Sequence, residues 1–232
     1  MVKNRIFALV FRIAVFLVVL AGVMMNFGVF DGRFSVGAAM YYTVLSNILC
    51  LILFGMLIVR TVRDLMKKGT KGDAGYYARF EFICTIDLLL TFAVYWILLA
   101  PRLFQMTENY SMWEFGNVSV HLIAPMACLF DYILFTKSKS LKYSDIYKVL
   151  IFPLGYMAFT SVAGALGYVF YISVADGLPV HYPYFFFDYD RIGLGFIPYV
   201  LGLVAIFLVV GHVLYFIDRK VKKPVLVGNT PR

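Results

Sequence analysis

Charged residues are scarce in this sequence. Asp, Glu, Lys and Arg make up 15% of its 232 residues and hydrophobic residues 62%, whereas a soluble domain has about a quarter charged and about half apolar residues. This composition excludes a water-soluble fold. Because each membrane-spanning helix uses about 20 apolar residues, a membrane domain of this length leaves no room for a separate soluble domain.

The common motifs of catalysis and cofactor binding are also missing. The sequence has no G-x-S-x-G, no H-E-x-x-H, no P-loop and no complete G-x-G-x-x-G, and its three cysteines form no C-x-x-C pair. We therefore expect no metal and no cofactor. Any chemistry must come from polar residues inside the apolar segments, where such residues are costly and usually face the interior of a helix bundle.

Long apolar runs, each ended by charge, Gly or Pro, are the most prominent feature of the sequence. Continuous runs of this kind need helices, because backbone groups in lipid must be satisfied within the segment. The first run follows Lys3 and Arg5 but is too long for a signal peptide and has no cleavage site at the right distance. The sequence thus predicts one all-α domain over residues 1–232, a bundle of six transmembrane helices. They are expected at residues 5–27, 36–59, 79–99, 118–135, 147–172 and 192–217.

The distribution of Lys and Arg predicts the orientation. Most lie in the N-terminus, in the loops at 60–79 and 137–148, and in the tail after Asp218, whereas Arg33, Arg102 and Arg191 are alone in the other three loops. Positive residues mark the cytoplasmic side, so both termini are predicted to be cytoplasmic. The net charge of +8 is split among short loops, which favours contact with anionic membrane lipids and argues against nucleic-acid binding.

A first polar layer lies near the predicted outer face. Thr43, Ser46, Asn47 and Cys50 have the i, i+3, i+4, i+7 spacing of one helical face. His121 opens the fourth span at a similar depth, so Thr43 and His121 can meet. A hydroxyl beside an imidazole that accepts its proton can attack an ester carbonyl. The alternative is that Thr43 only packs between helices, as intramembrane Thr residues usually do.

Three short segments give the chain a resemblance to a known family. They are residues 42–47 (YTVLSN), 117–125 (NVSVHLIAP) and 182–188 (YPYFFFD). The chain resembles the androgen-induced membrane protein family, which looks like a family of Thr/His hydrolases of fatty acid esters of hydroxy fatty acids, and more closely its bacterial six-span relatives. The resemblance implies that Thr43 is the nucleophile and His121 its base, that the substrate is a lipid ester, and that the protein belongs to the inner (cytoplasmic) membrane of a bacterium.

Further residues are candidates for binding the substrate or its oxyanion. Asn47 lies one turn below Thr43, so its amide, or the Ser46 hydroxyl, is a candidate donor to a developing oxyanion. Tyr182, Tyr184 and Asp188 lie in an aromatic loop before the sixth span. That loop is either a lid over a lipid site or an ordinary aromatic belt at the membrane interface.

A second polar layer lies deeper, toward the predicted inner face. Arg12 and Asp87 lie about two turns inside their spans, which predicts a structural ion pair. The competing interpretation is a proton or ion path through Asp87, Asp131 and His212. Three functions therefore remain open: a lipid ester hydrolase that uses Thr43 and His121, a small transporter or channel that uses the inner acids, and a non-catalytic lipid-binding protein.

Overall fold

The computed structural model describes residues 2–106, 110–137 and 139–221. Six helices in these ranges are long and apolar enough to cross a membrane, which confirms the predicted six-helix bundle of an integral membrane protein. They are α1 (Arg5–Asn26), α2 (Tyr42–Lys68), α3 (Ala78–Leu103), α4 (Phe115–Phe135), α5 (Asp145–Ala165) and α6 (Tyr189–Arg219). The basic tail predicted after Asp218 lies, from residue 222 onward, outside the described residues.

The two ends of the bundle differ in charge. At one end the N-terminal segment meets the loop after α2, where Asn4 and Lys71 form an isolated β-bridge. There the Arg5 guanidinium donates to the carbonyls of Gly69 at 2.8 Å and Lys71 at 2.5 Å. We call this the basic end, because most Lys and Arg residues lie there. At the opposite end a two-stranded hairpin, β1 (Tyr171–Ile172) with β2 (Pro179–Val180), lies in the connection between α5 and α6.

The core lies among α1 to α4. In the most apolar window of each helix, 50% of the residues of α3 and 56% of those of α4 are buried, but only 22% of those of α5 and α6. Val19, Leu53 and Val120 are fully buried side chains that join α1, α2 and α4. Helices α5 and α6 therefore flank a four-helix core and expose much of their surface to lipid.

Several helix boundaries differ from the predicted ones: α2 continues to Lys68, past the predicted end at residue 59, and three other differences have backbone reasons. Residues Val36–Met40 form a separate 3-10 turn, and α2 begins only at Tyr42, after an extended Tyr41. Helix α5 ends at Ala165, seven residues early, because Gly167 at φ 85° turns the chain toward β1. Helix α6 begins at Tyr189 and is interrupted at Gly193, which has φ 51°.

Two π-helical turns lie near the opposite end of the bundle. One is Tyr95–Leu99 in α3 and the other is Ser119–Ile123 in α4. Each is followed by a proline, Pro101 or Pro125. Proline has no N–H to bond the carbonyl four residues earlier, and its ring crowds that carbonyl, so the normal helical ladder is broken just before it. Such π-helical turns frequently mark functional sites, and the candidate site lies beside this pair.

Candidate functional site

Thr43 and His121 lie side by side. Thr43 is in the first turn of α2, and His121 is in the π-helical turn of α4. The Thr43 Oγ1 atom is 3.3 Å from His121 Nε2. Side chains that are 78 residues apart in the sequence thus meet at hydrogen-bonding distance, as their predicted depths suggested.

The other nitrogen of His121 fixes the orientation of the ring. Nδ1 is 3.1 Å from the Asn117 carbonyl oxygen, and because a carbonyl only accepts, Nδ1 must carry the proton. Nε2 of the neutral ring is then an acceptor that points at Thr43. The ring also stacks on Tyr95, with centroids 3.6 Å apart and planes 11° apart. Imidazole and hydroxyl are therefore held in the arrangement of a base and a nucleophile.

The backbone of His121 is held by a side chain from α3. The Trp96 indole Nε1 donates to the His121 carbonyl at 3.2 Å. In a regular helix that carbonyl would accept from residue 125, but Pro125 has no N–H to give. Trp96 therefore satisfies an acceptor that the proline leaves free. Sequence reasoning missed Tyr95 and Trp96, and the available signal was the proline four residues after His121.

The polar side chains of Asn47 and Ser46, which were predicted as oxyanion donors, bond other protein groups. Asn47 Nδ2 donates to the Thr43 carbonyl at 2.8 Å and to the Val120 carbonyl at 3.2 Å, which uses both donor hydrogens of the amide. In this arrangement neither hydrogen of the Asn47 amide is left to donate to an oxyanion. Ser46 Oγ is likewise turned away, toward the Thr43 carbonyl at 3.1 Å and the Thr91 hydroxyl at 3.1 Å. Both residues tie α2 to its neighbours.

Tyr184 reaches the site from the loop before α6. Its hydroxyl oxygen accepts from the Tyr42 backbone N–H at 3.2 Å, one of the free donors at the start of α2. The same hydroxyl lies against the Thr43 and Tyr156 side chains. Burial raises the pKa of Tyr184 above its ordinary value of 10.0, so the phenol is protonated near neutral pH. Its O–H group is therefore a donor beside Thr43.

A chamber of about 660 Å³ lies over Thr43 and His121 at the opposite end of the bundle. Asn117, Tyr110, Arg102, Asp188 and Arg191 contribute polar groups to its wall. The chamber is large enough for a small organic ligand.

The two arginines in the chamber wall have different partners. Arg191 Nε is 3.2 Å from Asp188 Oδ2, and burial raises the pKa of Asp188. The Arg102 guanidinium lies 4.2 Å from the centroid of the Phe185 ring, and no carboxylate of the described residues is within ion-pair distance of it. Tyr182 does not line the chamber: its buried ring packs on Tyr189, with centroids 4.7 Å apart.

A second, narrower cavity of about 60 Å³ lies on the other side of Thr43. Its walls come from α3, α5 and α6 and from the aromatic loop. It shares Thr43, Leu99 and Tyr184 with the chamber. The candidate nucleophile is thus a common wall of two cavities.

The predicted Arg12–Asp87 ion pair is replaced by a different pair. Arg12 Nε and Nη2 each donate to Asp131 at 2.8 Å, and Arg12 Nη1 donates to Thr61 Oγ1 at 2.7 Å. Asp87 instead accepts from the Tyr42 hydroxyl at 3.2 Å. The prediction was wrong because the two groups lie at different depths: Tyr42 and Thr61 are 19 residues apart on α2, about 28 Å along the helix, so the carboxylate bound by Tyr42 is out of reach of the guanidinium bound to Thr61. Asp131 of α4 instead offers both oxygens in the plane of the guanidinium.

Asp87, Asp131 and His212, the groups of the predicted inner path, contact different partners in the part of the chain that the structure describes. Asp131 is bound by Arg12, Asp87 by Tyr42, and His212 contacts the Tyr143 hydroxyl at 3.1 Å and the Leu208 carbonyl at 2.7 Å. Each of the three groups that the transporter hypothesis requires is therefore engaged by a different partner.

We compared the chain with known proteins at the level of families, of individual proteins and of structures. No family model, no curated protein and no solved structure matches it.

Proposed function

We propose that the chain is an intramembrane hydrolase of a lipid ester, with Thr43 as the nucleophile and His121 as its general base. The observation that carries this proposal is the 3.3 Å contact between Thr43 Oγ1 and His121 Nε2, made by a ring whose Nδ1 is bound by a carbonyl. This is the geometry by which an activated hydroxyl is recognised. The family resemblance of residues 42–47 and 117–125 assigns the same two roles, with fatty acid esters of hydroxy fatty acids as the model substrates.

The reaction runs in two halves. Thr43 Oγ1 attacks the ester carbonyl carbon while its proton passes to His121 Nε2. The bond to the alcohol oxygen then breaks, that oxygen takes the proton from Nε2, and the acyl group stays on Thr43. Water next gives a proton to Nε2 and attacks the acyl carbon, and Thr43 regains its proton as the fatty acid leaves.

We propose two groups as stabilisers of the oxyanion. One is the start of α2, where backbone N–H groups have no acceptor within the helix and the helix dipole has its positive end. The Tyr184 hydroxyl, beside Thr43, adds a side-chain donor. Tyr184 takes the role that sequence reasoning gave to Asn47.

We also propose the orientation of the site in the membrane. With the basic end in the cytoplasm, as the positive charges favour, the chamber opens toward the outer leaflet. An ester in that leaflet then reaches Thr43 without crossing the membrane. A bacterial cytoplasmic membrane is the proposed location.

Labelling with a fluorophosphonate tests the assignment of the nucleophile. The purified protein should be labelled at Thr43, and both Thr43→Ala and His121→Ala should lose the label along with hydrolysis of 4-nitrophenyl laurate. Thr160→Ala and His212→Ala are matched controls, because Thr160 bonds within α5 and His212 lies at the basic end. Full turnover by Thr43→Ala would overturn the proposal. Lipid binding that survives in all variants, with no turnover in any, would indicate a non-catalytic lipid-binding protein.

A further inference from the structure

The two cavities divide the space around Thr43 into different environments. The chamber is wide and carries charged side chains, whereas the other cavity, about 60 Å³, is narrow. Leu90, Val94, Leu154, Met157, Val204 and Phe207 give the narrow cavity hydrocarbon walls. An apolar cavity of this kind stays free of water and takes apolar ligands.

Polar groups of the narrow cavity are occupied by the protein itself. The Tyr42 hydroxyl donates to Asp87 at 3.2 Å, Tyr156 donates to the Met40 carbonyl at 3.0 Å, and Thr91 donates to the Asp87 carbonyl at 3.1 Å. Thr43 and Tyr184 remain as polar groups at the junction with the chamber. A ligand in this cavity therefore needs a polar atom only where it meets Thr43.

The narrow cavity extends along α5 and α6, toward the basic end. Its wall includes Leu150 and Met157 of α5 and Val200 and Phe207 of α6, each pair seven residues apart. At 1.5 Å per residue this is about 10 Å, about a third of the ~30 Å hydrocarbon thickness. Leu154 is 41% exposed on the lipid side of the same wall. The cavity is thus a slot between two peripheral helices, next to the lipid.

The position of His121 indicates which part of a bound ester lies in each of the two cavities. It lines the chamber but not the narrow cavity. In the reaction proposed above, His121 must protonate the departing alcohol and then receive a proton from water. The alcohol and the water must therefore both lie in the chamber. The acyl chain then lies on the other side of Thr43, in the narrow cavity.

We propose that the narrow cavity is the acyl-chain site, and that it binds an unbranched hydrocarbon chain whose carbonyl lies at Thr43. The alcohol part of the ester occupies the chamber. This inference rests on the proposed function for the position of the carbonyl. It adds that Met157 and Val204 determine which chain lengths are accepted.

Chain-length selectivity gives the first test. Val204→Phe fills the narrow cavity. Its matched control is Val209→Phe, because Val209 lies on the lipid-facing side of the same helix and is 62% exposed. Removing two bound methylenes lowers kcat/KM by on the order of tenfold. We expect at least that loss for 4-nitrophenyl laurate with Val204→Phe, little change for the butyrate ester, and wild-type selectivity in the control. Equal losses for both esters would overturn the acyl-site assignment.

Photocrosslinking gives a second test that requires neither turnover nor a folded cavity variant. The probe is a laurate ester with a diazirine at the end of its acyl chain, bound to the wild-type and Thr43→Ala proteins. We expect adducts at Leu154, Met157 or Val204 in both. Adducts at chamber residues such as Tyr171, or none in the bundle, would overturn the inference even if hydrolysis is observed. Adducts in the narrow cavity without any hydrolysis would support this cavity as the chain-binding site and would contradict the proposed hydrolase activity.

Discussion

Pro125 removes the hydrogen bond that would otherwise hold the His121 carbonyl within α4. Trp96 replaces it with an indole N–H at 3.2 Å. His121 is thereby attached to α3 through its backbone, while the stacking of its ring on Tyr95 attaches it to the same helix through its side chain. The position of the imidazole thus depends on the packing of α3 against α4.

Trp96→Phe should lower kcat, because it leaves the buried His121 carbonyl without a donor. The loss of such a hydrogen bond costs about 1–3 kcal/mol, divided between stability and positioning of the base. Pro125→Ala restores a backbone N–H at residue 125 that can bond this carbonyl. The double variant should therefore be more stable than Trp96→Phe alone in a thermal-unfolding cycle. Strictly additive changes would show that the two residues do not share the carbonyl.

Thr43 and His121 should act as one unit. Thr43→Ala and His121→Ala are each expected to abolish turnover with melting temperatures near the wild-type value, and the double variant should be scarcely worse than either. Thr43→Ser should retain part of the activity, since it keeps a hydroxyl in place. The measurement is kcat on 4-nitrophenyl laurate together with a melting curve for each variant. A multiplicative loss in the double variant would contradict the shared mechanism.

Tyr184→Phe should reduce kcat by on the order of a hundredfold, as removal of an oxyanion donor does in other acyl-transfer sites. Because burial raises the pKa of Tyr184 above 10.0, the group keeps its proton through the neutral and mildly alkaline range. The wild-type rate should therefore show no loss from ionisation of this phenol below about pH 9. Tyr182→Phe is the matched control. An equal loss in the control would remove the special role of Tyr184.

Asn47→Ala should act mainly on stability. Its amide joins the Thr43 carbonyl on α2 to the Val120 carbonyl on α4. The substitution removes this donor from the Val120 carbonyl, whereas the Thr43 carbonyl keeps the Ser46 hydroxyl at 3.1 Å. The expected cost is about 1–3 kcal/mol, with a smaller loss of turnover than for Tyr184→Phe. The two effects are separated by measuring kcat well below the melting temperature. Loss of turnover without loss of stability would return Asn47 to the oxyanion role.

The Arg12–Asp131 pair should be strongly coupled. Removing one partner leaves a buried charge and costs about 3–5 kcal/mol, whereas replacing both with apolar residues can be nearly neutral. Arg12→Met with Asp131→Leu should therefore be more stable than either single variant. Asp87→Asn in the Arg12→Met background is the control, and its effect should be additive. Coupling to Asp87 in place of Asp131 would contradict the observed pairing.

The orientation can be tested with single cysteines at the two ends. Asp176→Cys should react with an impermeant thiol reagent on intact cells, and Lys71→Cys should react only after the cells are opened. Background labelling should be low, because Cys50, Cys84 and Cys128 are all buried. Labelling of Lys71→Cys on intact cells would reverse the proposed orientation.

The number and approximate positions of the helices were predictable because the cost of charge in lipid leaves a strong pattern in the sequence. The meeting of Thr43 and His121 was predictable for a related reason: two helices that run in the same direction bring residues of equal depth to one level. The rotation of each helix about its axis was not predictable in this way. Depth counted from the predicted helix ends was also inexact: Asp87 bonds Tyr42 in the first turn of α2, whereas Arg12 and Asp131 meet beside Thr61, 19 residues further along the same helix.

The interior partners of the site were harder to predict. Asn47 has the right spacing for an oxyanion donor, yet backbone carbonyls within reach take both of its N–H groups. Tyr184 enters from a loop whose path no periodic pattern determines. Helix α5 ends at Ala165 because Gly167 has a positive φ. The sequence did not indicate this end, since the apolar stretch continues to residue 172.

The four-helix core carries both Thr43 and His121, whereas much of the wall of the narrow cavity belongs to the peripheral helices α5 and α6. Under the proposed function, reaction chemistry and chain-length preference are thus encoded in separate parts of the polypeptide. Substitutions at positions such as 157 and 204 can accumulate without disturbing the imidazole or its supports. During evolution such a protein can change the lipids it accepts by small steps in its last third while the reacting atoms remain where they are.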